Sequence, residues 1–267
     1  MSIILYLIVF IFGISCGSFL NCVIYRLKEK KSFLRGRSFC PYCCHRLGFF
    51  DLIPILSFLF LRGRCRYCGK NISLQYPLVE IVTGVVFLLV FSQLSITDFN
   101  FQNLVNLSYL LIISCLLIII FVYDLKHYII PDKIVYSAIL IVFLYQIIFN
   151  LPPARLCFQS ANFYSSFLTA FLVAGFFFLI WLISRGKWMG FGDVKLSFLI
   201  GLFLGFPQVV VSLFSAFFIG AIIGLILIIF RKKNLQSQVP FGPFLVTGTF
   251  IALFWGQNLI NWYLNLL

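Results

Sequence analysis

The sequence predicts an all-α polytopic membrane protein: about eight transmembrane helices, with a small cytoplasmic cysteine-bearing module between the first and the second. Three observations carry this. Hydrophobic residues make up 62% of the 267 residues and charged residues 10%, whereas soluble domains carry about 25% charged residues. A water-soluble globular enzyme is therefore excluded, and so is a disordered chain, which needs low hydrophobicity. The apolar residues fall in runs of about 20, long enough to cross a ~30 Å hydrocarbon core as helices. Two Cys-x-x-Cys pairs sit together in the most basic connector.

The spans read as 2–25, 75–94, 104–123, 133–150, 163–184, 193–206, 208–230 and 242–263. The sixth is short. The first carries no basic residue on its N-terminal flank, so it reads as a retained anchor with its N-terminus outside, not as a cleaved signal peptide. The domains follow as 1–25 (first transmembrane helix), 26–74 (cysteine module) and 75–267 (a seven-helix membrane domain). Small residues at Gly13/Gly17, Gly201/Gly205 and Ala216/Gly220/Gly224 read as ordinary close packing of helices.

Net charge is +13. In a soluble chain this would suggest nucleic acid, but here it follows topology. Arg26 to Lys70 holds eleven basic residues, and Lys126, Lys133, Arg185, Lys187, Lys195 and Arg231-Lys232-Lys233 flank later connectors. With eight spans all of these fall on one side, leaving Arg155 alone opposite. Basic connectors are cytoplasmic, so both termini face out. The basic face needs no nucleic-acid partner; the bilayer itself accounts for it.

Cys40-Pro-Tyr-Cys43 and Cys65-Arg-Tyr-Cys68 are separated by 21 residues. Two such knuckles can close a tetrahedral four-sulfur shell around a structural zinc ion. A 26–74 module of this size needs such a staple, having little core of its own. Cys44 and His45 are alternative ligands for Cys43. Redox-active or unmetallated thiols are the competing readings. Cys16, Cys22, Cys115 and Cys157 read as small apolar residues.

The chain has seven acidic residues. Glu29 and Asp51 lie in the basic module and read as solvated; Asp98 lies in an outer loop. Ionisable groups in or beside spans are costly and face the bundle interior, which singles out Glu80, Asp124, Asp132 and Asp193. Asp124 ends the third span, where a carboxylate gains nothing from the helix dipole; pairing with Lys126 or His127 is its alternative. Asp193 follows Gly190 and Gly192, which give room for a sharp turn or an extended peptide, and N-capping is its alternative. Asp132, after Pro131, reads as a cap. Glu80 either pairs with a basic residue of the module or helps to bind substrate. Asp124 and Asp193, on different helices near one membrane edge, suggest a dyad in which one carboxylate activates water and the other holds a proton.

On these residues the chain resembles the prepilin peptidases (type IV leader peptidases) of the GxGD aspartyl membrane proteases. The resemblance runs through Gly17-Ser-Phe-Leu-Asn21 with Arg26, the two cysteine pairs, Asn71 to Pro77 with Glu80 and Thr83-Gly84, Asp124 with Ile130-Pro-Asp132, Gly190-Phe-Gly-Asp193 continued by Val194-Lys195, and Val239-Pro-Phe-Gly-Pro243. Lys28 stands where the family has a proline and Gln75 where an arginine is common. The resemblance implies Asp124 and Asp193 as catalytic residues, with Gly190, Gly192, Glu80 and Lys195 positioning substrate and backbone. It implies a bacterial inner-membrane enzyme that cleaves type IV prepilins or type II secretion pseudopilins on the cytoplasmic side. It also implies N-methylation of the new terminus with S-adenosylmethionine. That second activity rests on the resemblance and the cysteine module, since no Rossmann-type fingerprint is present. Two other classes compete: a transporter or channel using intramembrane carboxylates, and a zinc-stabilised assembly scaffold.

Overall fold

In a computed structural model the described residues are 2–29, 32, 38–93, 101–149, 163–230 and 239–266. Asp98, Arg155, Cys157 and Arg231-Lys232-Lys233 lie outside them. The helices are α1 (Ser2–Lys28), α2 (Leu56–Phe60), α3 (Gln75–Gln93), α4 (Phe101–His127), α5 (Asp132–Phe149), α6 (Phe163–Ser184), α7 (Phe191–Leu204), α8 (Gln208–Ile229) and α9 (Gly242–Leu264), with a 3-10 turn at Phe49–Leu52. Among the described residues the extended structure is two isolated bridges, Phe39–Arg46 and Arg64–Asn71.

Among the described residues seven helices (α1, α3, α4, α5, α6, α8 and α9) are long and apolar enough to cross a membrane. The predicted sixth span is α7, a helix of 14 residues, ~21 Å at 1.5 Å per residue. Its apolarity has a different cause from that of the others. Leu196, Ile200 and Leu202 are fully buried, and the helix packs against α5, α6, α8 and α9. A helix wrapped by other helices reads as apolar whether or not it matches the bilayer.

The chain divides into two compact units, Met1–Asn103 and Leu104–Leu267. In the first, α1 and α3 pack along their length. A Cβ on Gly17 would lie 2.7 Å from the Glu80 Cα, and one on Gly13 would lie 2.8 Å from the Gly84 Cα. The backbones meet because these residues lack side chains, as expected for small-residue crossings. The Asn21 amide donates to the Tyr76 carbonyl at 3.0 Å and ties α1 to the start of α3. In the second unit α6 packs on α7 and α8 on α9. Gly201 brings α7 onto Ala170 of α6. The buried Gln146 of α5 donates to the Leu202 carbonyl at 2.6 Å, meeting one of the carbonyls that a helix C-terminus leaves over.

Candidate functional site

The second unit gathers the predicted aspartates. Asp124 lies three residues before the end of α4 and is 4% exposed; Asp193 lies in the first turn of α7 and is 8% exposed. The two carboxyl groups are close enough to interact electrostatically. Ile130, in the turn between α4 and α5, joins their surroundings. A Cβ on Gly192 would meet the Ile130 side chain at 3.0 Å, and one on Gly242 would lie 3.3 Å from its Cδ1. That same Gly242 Cβ would run into the Asp124 carboxylate, which accepts the Gly242 backbone N–H.

Each carboxylate is held by backbone. Gly190 is the N-cap of α7, and its side of the turn offers a backbone N–H to Asp193, three residues on. Asp193 is the third residue of α7 and so is not its N-cap as the capping alternative had it; its carboxylate instead accepts the cap residue's N–H, half of a capping box. Gly190 has φ −75°, an ordinary extended conformation, so the turn does not need glycine there. Gly192 serves the contact with Ile130 instead. Asp132 departs from the capping expectation. Pro131 supplies the carbonyl that opens α5, accepting from Ile134 and Val135, while the Asp132 carboxylate takes the Lys195 ammonium at 2.7 Å. Lys195 also lies 5.2 Å from the Tyr136 and Phe191 rings. The start of α5 is thereby pinned to the start of α7.

The first unit gathers the thiols. The Sγ atoms of Cys40, Cys43, Cys65 and Cys68 lie within 4.8 Å of one another, close enough to hold a metal ion. The two knuckles share one backbone pattern. Cys40 N–H donates to the His45 carbonyl and Cys44 N–H to Cys40; Cys65 N–H donates to Lys70 and Gly69 N–H to Cys65, all at 2.9 Å. Cys44 and Gly69 are thus equivalent, and both have positive φ, 56° and 69°. Cys44 closes its turn with an exposed side chain, and the His45 ring lies against that of Tyr67 of the other knuckle, centroids 3.7 Å apart and tilted by 33°. Neither belongs to the four-sulfur group. Burial pushes the Cys40 thiol up, but backbone N–H groups of Cys43 and Tyr42 and the neighbouring thiols outweigh it and bring it to about 7.

Among the acids of this unit Asp51 departs from expectation, and Glu80 has backbone and hydroxyl partners. Asp51 is not solvated: its side chain is 5% exposed, accepts Gly48 N–H at 3.0 Å and Tyr67 O–H at 3.1 Å, and lies 3.0 Å from Arg66 Nε. Glu80 meets no basic residue of the module in its described contacts. Its carboxylate accepts the backbone N–H of Ile55 at 2.8 Å and the Ser18 hydroxyl. Ile55 has φ 61° and ψ −53°, and Leu56 N–H donates to the Pro54 carbonyl at 2.6 Å, a γ-turn of the rare left-handed kind. A β-branched residue there costs about 1–3 kcal/mol and persists when its surroundings over-determine it. Glu80 supplies that determination.

Ile130 and Gly242 are site neighbours that residue chemistry did not single out. Gly242 had a signal, standing before Pro243 at the start of an apolar run, in the last stretch of the family resemblance. Ile130 had none of its own beyond its place in that resemblance.

A polytopic helical membrane protein with two buried carboxylates held by glycines, and a four-thiol cluster in its other unit, is the class these features define. The chain belongs to the type IV leader peptidase family. A model of the bacterial peptidase A24 N-terminal domain matches residues 11–94, and that of the type IV leader peptidase family matches 111–225. The chain is similar to proteins named prepilin leader peptidase/N-methyltransferase. It is 32% identical to one from Legionella pneumophila, covering 98% of this chain and 95% of the relative. It is 34% identical to one from Bacillus subtilis (97% and 98%) and 30% identical to one from Aeromonas salmonicida (97% and 93%). No solved structure matches.

Proposed function

We propose that this chain is an aspartyl endopeptidase that removes the short basic leader from type IV prepilins or type II secretion pseudopilins, and then N-methylates the exposed terminus with S-adenosylmethionine. The observation that carries the peptidase reading is the joint burial of Asp124 and Asp193, on α4 and α7, around Ile130 and Gly242. Two close carboxylates do not both ionise readily, so the pair shares a proton. The charged member takes a proton from water as it attacks the scissile carbonyl. The protonated member donates to the carbonyl oxygen. The proton gained by the base then passes to the leaving amine. Gly190 leaves the turn before Asp193 without a side chain, Gly192 admits the Ile130 side chain, and Lys195 fixes the start of α7 through Asp132. The cytoplasmic placement of the cysteine module and of both aspartates rests on the basic connectors.

Four thiols from two matched knuckles suit zinc, whose structural sites are closed tetrahedra of this donor set. Zinc bound there would hold the module's fold. The methylation reading rests on the names of the relatives and assigns no residue to the methyl donor.

The test is cleavage of a prepilin by purified protein, read by mass spectrometry. Wild type removes the leader, and Asp124→Asn and Asp193→Asn each lose about 10²–10⁴-fold or more, the scale of positioned acid–base catalysis. Addition of S-adenosylmethionine adds the mass of one CH₂ to the product. Cleavage by either aspartate variant at the wild-type rate overturns the dyad.

A further inference from the structure

The module between α1 and α3 turns an apolar surface outward. Phe49, Phe50, Leu52, Leu56, Leu59 and Phe60 are all exposed, Phe60 by 83% and Phe49 by 80%. They belong to the 3-10 turn and to α2, which pack on each other. Asp51, between them in sequence, points the other way, toward Gly48, Arg66 and Tyr67. Arg62 and Arg64, which follow α2 within four residues in the sequence, are exposed as well.

The depth of this surface can be read from α1 and α3. The Glu80 Cα sits at the level of Gly17, nine residues before Arg26 and so ~14 Å further along α1. Its carboxylate takes the Ser18 hydroxyl and the Ile55 N–H, so the chain just before α2 is held near that level. The first cysteine knuckle is held elsewhere: the Phe39 ring lies 6.0 Å from that of Tyr25, seven residues or ~10 Å nearer the basic end of α1 than Ser18. Basic residues such as Arg26 and Lys28 mark where a span leaves the membrane. By that marker the Ile55 turn lies on the lipid side of the edge, and the exposed apolar residues of α2 follow directly after it in the chain.

We propose that residues 49–60 form an interfacial membrane anchor. In it α2 and the 3-10 turn lie in the headgroup–acyl boundary on the module's side, with Arg62 and Arg64 meeting anionic headgroups. Exposed aromatic and leucine side chains with arginines close by in the chain are the composition that interfacial segments use. The buried Glu80 is the tether that sets the depth. Neither observation involves Asp124 or Asp193, so the anchor stands apart from the peptidase reading.

The test uses the full, zinc-loaded chain in nanodiscs, with an environment-sensitive fluorescent amino acid encoded at Phe60 or Leu59 and, for comparison, at Tyr42 on the first knuckle. Zinc content confirms that each variant is folded. The expected result is blue-shifted emission at 59 and 60 that is quenched by lipids brominated near the headgroup end of their chains, with weaker quenching at 42. Adding phosphatidylglycerol increases the shift at 59 and 60. Emission at both positions that matches position 42 and ignores brominated lipid overturns the proposal. Quenching that disappears when a prepilin is added also overturns it, by assigning the surface to a peptide.

Discussion

The replacement Gly242→Ala separates a geometric requirement from a structural one. The added Cβ would land on the Asp124 carboxylate and lie 3.3 Å from Ile130 Cδ1. A carboxylate is the end of a short rotatable side chain, so the fold can accept the methyl by turning Asp124 away. The stability cost then stays within the ~1–3 kcal/mol of a local overpacking. Catalysis has no such escape. On the proposed mechanism Asp124 is a reacting group, and one displaced by 1 Å loses about 10²-fold; the turned carboxylate also leaves the Gly242 N–H that held it. The expected outcome is a fall of about 10²-fold in kcat for prepilin cleavage, with KM little changed and only a modest fall in Tm. Gly224→Ala is the comparison, because a Cβ there meets nothing within 4 Å; it should cleave and melt as wild type. A folded Gly242→Ala protein that cleaves at the wild-type rate would refute the requirement that Asp124 stand where it does.

Perturbations at four further positions test the first unit. Glu80→Ala leaves the Ile55 N–H without its acceptor and should cost about 1–3 kcal/mol, seen as a lower Tm and faster proteolysis within 53–56; Glu80→Gln, which keeps an acceptor, should lose less. Gly17→Ala puts a Cβ 2.7 Å from the Glu80 Cα, where backbone must move, so its Tm should fall by the equivalent of about 1–3 kcal/mol; an unchanged Tm would mean that α1 and α3 do not cross there. Cys65→Ser should abolish zinc binding by metal analysis. Cys44→Gly should keep the zinc and gain up to ~1 kcal/mol by relieving a left-handed backbone, and loss of zinc in that variant would return Cys44 to the ligand set.

What the sequence made legible follows a pattern set by range. Helix existence was readable because each apolar run is long and local. The four thiols were readable because Cys-x-x-Cys fixes its own turn. The choice between Cys43 and Cys44 was not, since it depends on Cys44 occupying the backbone position that Gly69 fills in the second knuckle. Asp51 read as solvated because its partners, Tyr67 and Arg66, come from a segment 15 and 16 residues later. Asp132 read as a cap because Pro131 precedes it, whereas its partner Lys195 lies 63 residues away. Glu80 was recognised as unusual for its depth in a span, but a backbone N–H partner carries no residue signature. Proximity of Asp124 and Asp193 was suggested by their shared membrane edge; Ile130 and Gly242, which pack around them, are ordinary residues whose importance is purely positional.

The shortness of α7 bears on how such a pair can work. At ~21 Å it falls ~9 Å short of a ~30 Å hydrocarbon core, so its two ends cannot both reach the membrane surfaces. Its start makes the change over a few residues. Lys187, Trp188 and Gly190 are exposed, while Asp193 and Val194 are buried. A carboxylate in the first turn of such a helix can be withdrawn from bulk water and still stand one turn from it. Asp124 reaches the same surroundings by the opposite route, three residues before the C-terminus of a 27-residue helix. Peptide hydrolysis in a membrane needs both water and a segment of substrate in extended form. A recessed helix start, with Gly190 in place of a side chain, meets those needs better than a residue at mid-helix, whose backbone is closed off by its own hydrogen bonds and whose approach is blocked by the turns on either side.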